Sequence, residues 1–134
     1  MDKAIIDVAK QCRKWVENHA KAIDICNDPD LGGWCAIASA HLHDQLVERG
    51  FPSRIAYNSH HCFVIVGGHI VDITATQFGE RYKKIHVQPL NRKVVRPERW
   101  YIGRTFGSVK GLRNYMEREG WPSEQISLEG AQAL

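Results

Sequence analysis

Two adjacent glycines at positions 67 and 68 place the tightest constraint on how this chain folds. They separate two runs of β-branched and aromatic residues, 61–66 and 69–73. Glycines between such runs favour a two-residue β-hairpin turn, because both central residues of that turn adopt positive φ. In that turn Val66 lies opposite His69, and this pairing sets the partner of every other residue in the two strands.

The predicted register places the side chains of His61 and Asp72 on the same face of the hairpin. They are diagonal neighbours with backbones roughly 7 to 8 Å apart, so the two side chains can meet. Both faces are otherwise apolar, which indicates a sheet covered on both sides. A carboxylate buried there needs a partner to offset the cost of desolvation, and His61 is the predicted partner. A three-residue loop would reverse the parity and select His60 instead.

The segment 32–39, Gly-Gly-Trp-Cys-Ala-Ile-Ala-Ser, predicts the start of a helix with a cysteine in its first turn. Apolar residues recur at helical spacing from Cys35 to Leu46, and Gly50 follows where a C-terminal cap belongs. The unpaired N–H groups and the dipole of a helix N-terminus favour an anion, so a thiolate forms there more readily than elsewhere. Cys35 is therefore a candidate nucleophile. A buried, inert structural cysteine is the alternative.

Apolar periodicity predicts the remaining elements and assigns the chain to the α+β class. An amphipathic helix is predicted over 3–25, a turn-rich loop over 26–33 and a last helix over 108–120. Short strands are predicted at 54–57, 85–87, 94–95 and 101–102. A length of 134 residues with 43% hydrophobic content fits one domain with a real core, so residues 1–134 are predicted to form a single domain.

Composition favours a soluble cytoplasmic protein. The sequence has no run of about 18 apolar residues and no apolar block at its N-terminus of the kind found in signal peptides. Its four cysteines contain no Cys-x-x-Cys pair. We therefore expect reduced thiols rather than a disulfide framework.

The positive charge is concentrated in residues 79–106. This basic segment carries 8 basic and 2 acidic side chains, a net charge of +6, although the whole chain carries only +3. Such a segment can bind an acidic partner or substrate. No nucleic-acid-binding motif accompanies it, so a nucleic-acid partner is not predicted.

Three segments carry a resemblance to a known superfamily: Gly33-Trp34-Cys35, His61-Cys62-Phe63-Val64 and Ile70-Val71-Asp72-Ile73-Thr74, the last followed by Gln77-Phe78. In these segments the chain resembles the papain-like and transglutaminase-like cysteine enzymes, which include the arylamine N-acetyltransferases and small members encoded by phages. The resemblance implies a central helix that carries the cysteine and packs on a small antiparallel sheet carrying the histidine and aspartate, with helices at both ends of the chain. If the gene is phage-encoded, the cytoplasm is that of a bacterial host.

The same resemblance implies an acyl-transfer reaction that needs no cofactor. Cys35 would form a thioester, His61 would exchange the proton and Asp72 would orient the imidazole. Peptidase, deamidase, amidase and transglutaminase-type transferase all share this step, and the substrate would be a peptide, a protein or another amide. Papain-type enzymes place an oxyanion-stabilising glutamine where this chain has Pro29. Candidates for oxyanion or substrate binding are instead Trp34, Asn27, Gly33, Thr74 and Gln77.

Two other classes of function stay open at this point. A zinc site could use Cys35, His41, His60, His61 and Cys62, although these residues lack a recognised ligand spacing. Alternatively, the chain could be a non-catalytic papain-like scaffold that acts as a binding module through its basic segment.

Overall fold

The structure, a computed structural model, describes residues 1–23, 29–58 and 61–119. Within these ranges the chain forms three α-helices and a five-stranded antiparallel sheet, an α+β fold. The helices are α1 (Lys3–Ile23), α2 (Cys35–Glu48) and α3 (Val109–Glu119). The strands are β1 (Arg54–Tyr57), β2 (Cys62–Val66), β3 (His69–Asp72), β4 (His86–Pro89) and β5 (Arg104–Phe106), and short 3-10 helices cover Ala75–Phe78 and Glu98–Tyr101.

The β2–β3 hairpin has the predicted register. Val66 pairs with His69, Ile65 with Ile70 and Val64 with Val71. The two turn glycines have φ values of 58° and 71°, in the left-handed region that the turn requires and that side chains disfavour. The strand order is β4-β3-β2-β1-β5, so this hairpin lies at the centre of the sheet.

Both faces of the hairpin are covered, as the sequence predicts. Val64, Val66 and Val71 project from one face into a core shared with α1 and α2. On the other face, Phe63 and Ile70 pack with Tyr101 and with partly buried residues of the segment 90–100. The sheet is therefore a central layer, and any polar side chain that its strands direct inward is cut off from water.

The third helix closes one end of the sheet. Leu112 and Tyr115 of α3 pack with Ile55, Tyr57 and Cys62, and Cys35 contacts this cluster from the start of α2. Thus the cysteine-bearing end of α2 lies against the ends of β1 and β2, where the two strands meet.

Several sequence-based boundaries differ from the structure. The strand predicted at 85–87 is shifted to His86–Pro89, and the strands predicted at 94–95 and 101–102 are wrong. Val94 instead packs on the second sheet face, and a 3-10 turn directs Tyr101 inward. His19 is exposed and stacks on Trp15 with ring centroids 4.2 Å apart. The predicted helix ends at 25 and 120 lie outside the described residues. No helix in the described ranges is long and apolar enough to cross a membrane.

A substitution at Gly103 tests how closely the segment before β5 packs on β1. A Cβ added at this position would lie 3.1 to 3.3 Å from backbone atoms of Tyr57, and backbone cannot move aside as a flexible side chain can. We expect Gly103→Ala to lower the free energy of unfolding by about 1–3 kcal/mol in urea denaturation. Gly107→Ala is the control, because its new methyl would meet only the end of the Arg54 side chain at 3.7 Å. Equal stability of the two variants would contradict this packing.

Candidate active site

Cys35 is the first residue of α2, as predicted. A tight turn precedes it, in which the Trp34 N–H donates to the Leu31 carbonyl at 3.1 Å and the Ala38 N–H donates to the Trp34 carbonyl at 2.9 Å. Gly33 has a φ of 84°, a conformation that favours glycine at this turn. Trp34 provides no side-chain cap to the helix. The half-buried thiol therefore lies at a helix N-terminus, where unpaired N–H groups and the helix dipole favour negative charge.

His61 and Asp72 form the buried pair that the hairpin register predicts. The Nε2 atom of His61 lies 2.6 Å from Oδ2 of Asp72, and each residue is 1% exposed. The His61 N–H donates to Asn58 Oδ1 and the Asn58 N–H donates to the His61 carbonyl, both at 2.9 Å. This pair of bonds fixes His61 immediately before β2. The edge-on ring of Phe78, 4.7 Å from the imidazole centroid, packs against it.

Both carboxylate oxygens of Asp72 are fully occupied. Oδ2 accepts hydrogen bonds from His61 and from the Tyr101 hydroxyl at 2.8 Å. Oδ1 accepts from the backbone N–H of Thr74 at 2.8 Å and from its hydroxyl at 3.3 Å. Burial by itself would raise the pKa of Asp72, but the charge and hydrogen bond of His61 lower it, helped by Thr74 and Tyr101. The carboxylate is therefore held ionised in the protein interior.

The imidazole of His61 is shared between Asp72 and Cys35. Burial disfavours its charged form, but the charge and hydrogen bond of Asp72, together with the side chain of Cys35, raise the pKa of His61 to about 9. Since Nε2 binds Asp72, the other nitrogen, Nδ1, is the one available to the thiol. Nδ1 is buried and has no hydrogen-bond partner within the described residues. It is therefore the nitrogen left to exchange a proton with Cys35.

Thr74 and Gln77 both connect to Asp72. Thr74 is fully buried and binds Asp72, and the Gln77 amide donates to the carbonyl and hydroxyl oxygens of Thr74 at 3.0 and 3.1 Å. Thr74 thus supports the carboxylate, whereas the half-buried Gln77 also lines a small pocket with Asp30 and Tyr82. Gly33 and Trp34 do flank Cys35, exposed and half-buried respectively. Asn27 lies outside the described residues.

Arg13 is a buried component of the site that sequence reasoning missed. Its guanidinium donates to the Ile73 carbonyl at 2.8 Å, to the Thr76 hydroxyl at 3.1 Å and to the Pro29 carbonyl at 3.1 Å. Arg13 thus joins the loop before Cys35 to the segment after Asp72. Burial lowers its pKa, opposed by nearby carboxylates that include Glu17 and Asp72. The sequence does contain a signal for this role. Arg13 lies on the apolar face of α1, and a charged side chain buried there needs hydrogen-bond acceptors.

The structure gives no support to the zinc alternative among the residues that it describes. His41 stacks on Trp15 with ring centroids 3.9 Å apart, and His60 lies outside the described residues. Burial raises the pKa of Cys62, which favours its neutral thiol over the thiolate that zinc binds. In the part of the chain that the structure describes, no group of three or more His, Cys, Asp or Glu side chains has an arrangement that could hold a metal ion.

Comparison with models of known families, with characterised proteins and with solved structures found no match. A functional assignment therefore rests on the geometry of this site.

The raised pKa of His61 predicts a specific dependence of stability on pH. In the unfolded chain the imidazole titrates near 6.5, whereas in the folded protein it titrates at about 9. The folded state binds the extra proton, so this stabilisation is complete below about 6.5 and is lost as pH rises through 9. Urea denaturation of wild type should show the loss in that window, and His61→Gln should not. An imidazole NMR titration of His61 with a midpoint near 6.5 would contradict the coupling.

The variant Tyr101→Phe tests how much the hydrogen bond from the Tyr101 hydroxyl to the Asp72 carboxylate contributes to stability. Tyr101→Phe removes a 2.8 Å hydrogen bond to a buried charge and should lower the free energy of unfolding by about 1.5–3 kcal/mol. Tyr115→Phe is the matched control, because the equally buried Tyr115 hydroxyl has no hydrogen-bond partner among the described residues. It should change stability by less than about 0.5 kcal/mol. If the two variants lose equal stability, the Tyr101 bond does not hold Asp72.

Proposed function

We propose that this chain is a cysteine-dependent acyl-transfer enzyme that works through a thioester on Cys35, either as an amide hydrolase or as a transferase to an amine. One observation carries the proposal. The buried His61 binds Asp72 through Nε2 and lies beside the thiol at the start of α2. A nucleophile, a base and a group that orients the base thus have the arrangement that this chemistry needs.

In the first half of the reaction, Cys35 and His61 react as a thiolate–imidazolium pair, in which Nδ1 of His61 holds the proton of the Cys35 thiol. The thiolate attacks the carbonyl carbon of the substrate, and the carbon–oxygen double bond opens to an oxyanion. As the tetrahedral intermediate collapses, the imidazolium gives its proton to the leaving amine. Asp72, fixed by the N–H and hydroxyl donors of Thr74, keeps the imidazole in one orientation and stabilises its positive charge.

In the second half, water or a second amine attacks the thioester carbonyl while His61 accepts its proton. The acyl group leaves on the acceptor and the thiol of Cys35 is restored. Hydrolysis and transfer therefore differ only in which acceptor reaches the half-buried cysteine. The same residues serve both outcomes, so one proposed site accounts for hydrolysis and for transfer.

The start of α2 is the proposed place for the oxyanion. Its backbone N–H groups are not engaged by a side-chain cap from Trp34, and the helix dipole adds positive potential there. The Cys35 N–H is one proposed donor and the Trp34 indole is the other. Gly33 precedes them without a side chain, so a substrate backbone can approach closely.

The arrangement of elements supports a papain-like or transglutaminase-like core. The cysteine-bearing helix packs on an antiparallel sheet, and the histidine and aspartate come from paired central strands in the chain order Cys, His, Asp. We propose this superfamily on that arrangement together with the three resembling segments.

A second proposed function is the recognition of an acidic partner through the basic segment 79–106. Part of its charge is used internally, because Arg81 and Arg92 pair with the buried Glu98, and Lys84 pairs with Glu17. Lys93, Arg96 and Arg99 are exposed. This function does not require the thiol, so it would survive Cys35→Ala.

Covalent labelling tests the proposed chemistry. We expect a panel of acyl fluoromethyl ketones to add one group per chain to wild type, detected by intact mass spectrometry, and none to Cys35→Ala. Cys12→Ala is the control, because burial raises the pKa of that thiol to about 11 and leaves it unreactive. The preferred probe then indicates the acyl group. Labelling of folded Cys35→Ala at the wild-type level would refute the assignment.

A further inference from the structure

A groove of about 790 Å³ lies on the sheet face opposite α1 and α2, at the end of the β2–β3 hairpin. Its apolar lining comes from Ile70 of β3, from Leu90 and Val94, and from Ile102. The turn glycines form one wall and the segment after β4 forms the other. This volume is within the range of sites that enclose small molecules or peptide side chains.

Polar groups at the groove suit a peptide better than a hydrocarbon chain. His69 and Asn91 line it together with the apolar residues. The His69 Nδ1–H donates to the Gly67 carbonyl at 2.8 Å, which leaves Nε2 for a ligand. The Asn91 amide can both donate and accept. Such directional groups match the N–H and carbonyl groups of a peptide backbone, which an acyl chain lacks.

No acidic side chain among the described residues lines the groove, and the segment that supplies Leu90, Asn91 and Val94 to its lining is rich in positive charge. The segment 90–99 carries four cations, Arg92, Lys93, Arg96 and Arg99, and one carboxylate. That carboxylate, Glu98, is buried and bound to the Tyr82 hydroxyl at 2.7 Å and to Arg81 and Arg92 at 3.3 Å. It is therefore turned away from any ligand. In addition, Val95 is 49% exposed beside these cations, so apolar surface and positive charge occur together.

From this combination we propose that the groove binds an acidic protein segment with an apolar anchor residue. The anchor side chain fills the space between Ile70, Leu90 and Val94, and flanking carboxylates face Lys93 and Arg96. The charge of the segment 90–99 selects the acidic sequence, and the apolar lining excludes segments that are acidic throughout.

The groove is separate from the thiol chemistry. Of the residues that the structure describes, it shares only Tyr101 with the candidate active site, whereas Cys35 and His61 do not line it. The inference rests on the second proposed function, recognition of an acidic partner, and locates it on the surface. Binding can therefore fail while Cys35 still reacts with acyl probes, and the reverse can also occur.

Two capped hexapeptides test the proposal by NMR titration of the full chain. The acidic one is Asp-Glu-Leu-Leu-Glu-Asp, and its neutral analogue is Asn-Gln-Leu-Leu-Gln-Asn. We expect the acidic peptide to shift the signals of Ile70, Leu90 and Val94 with a saturable dissociation constant on the order of 1 mM or tighter. The neutral peptide should bind about tenfold more weakly, and added salt should weaken only the acidic one.

Charge reversal at exposed positions supplies the matched controls. Lys93→Glu and Arg96→Glu should each raise the dissociation constant of the acidic peptide severalfold to about tenfold. Lys10→Glu makes the same change in net charge on the exposed side of α1, across the sheet, and should leave it unchanged.

Three results would overturn the proposal. The first is equal binding of the two peptides, and the second is an effect of Lys10→Glu as large as that of Lys93→Glu. The third is no saturable shift with the acidic peptide while vesicles containing phosphatidylserine bind through Lys93, because the surface would then recognise a membrane.

Discussion

The buried ion pair between His61 and Asp72 is the interaction on which the rest of the site depends. Removing both charges from water costs several kcal/mol per ion, so the pair persists only where further hydrogen bonds complete its partners. Thr74 and Tyr101 make those bonds to Asp72, and the Asn58 side chain accepts a bond from the backbone N–H of His61. Tyr101 lies 29 positions from Asp72, so its bond ties the central hairpin to the segment that covers its second face.

This arrangement explains why the site lies where it does. The hairpin directs His61 and Asp72 toward the face covered by the segment 90–103, while Val64, Val66 and Val71 anchor the opposite face on the helices. The start of α2 lies against the end of β1 and the beginning of β2. The imidazole can therefore face the carboxylate on one side and the thiol on the other. Arg13 holds the two flanking segments in register by bonding to carbonyls on both.

Short-range sequence patterns predict the elements that carry the reactive groups. The glycine pair predicts the hairpin register, and that register favours His61 over His60 as the partner of Asp72. Helical spacing of apolar residues predicts that Cys35 lies at the start of a helix. The support of the site was not predictable in the same way. Tyr101 reaches Asp72 across 29 positions of sequence, and the sequence predicts a strand at 101–102 where the structure has the end of a 3-10 turn. The closeness of Thr74 and Gln77 to Asp72 in sequence likewise does not show that Thr74 binds the carboxylate and Gln77 binds Thr74.

The most direct test of the central claim is acylation of the thiol by an activated ester, followed by rapid acid quench and peptide-resolved mass spectrometry. If His61 takes the proton of Cys35, wild type should accumulate an acyl group on Cys35, and His61→Gln should form it about 10² to 10⁴ times more slowly. Equal rates in the two proteins, or acylation at another cysteine, would contradict the account.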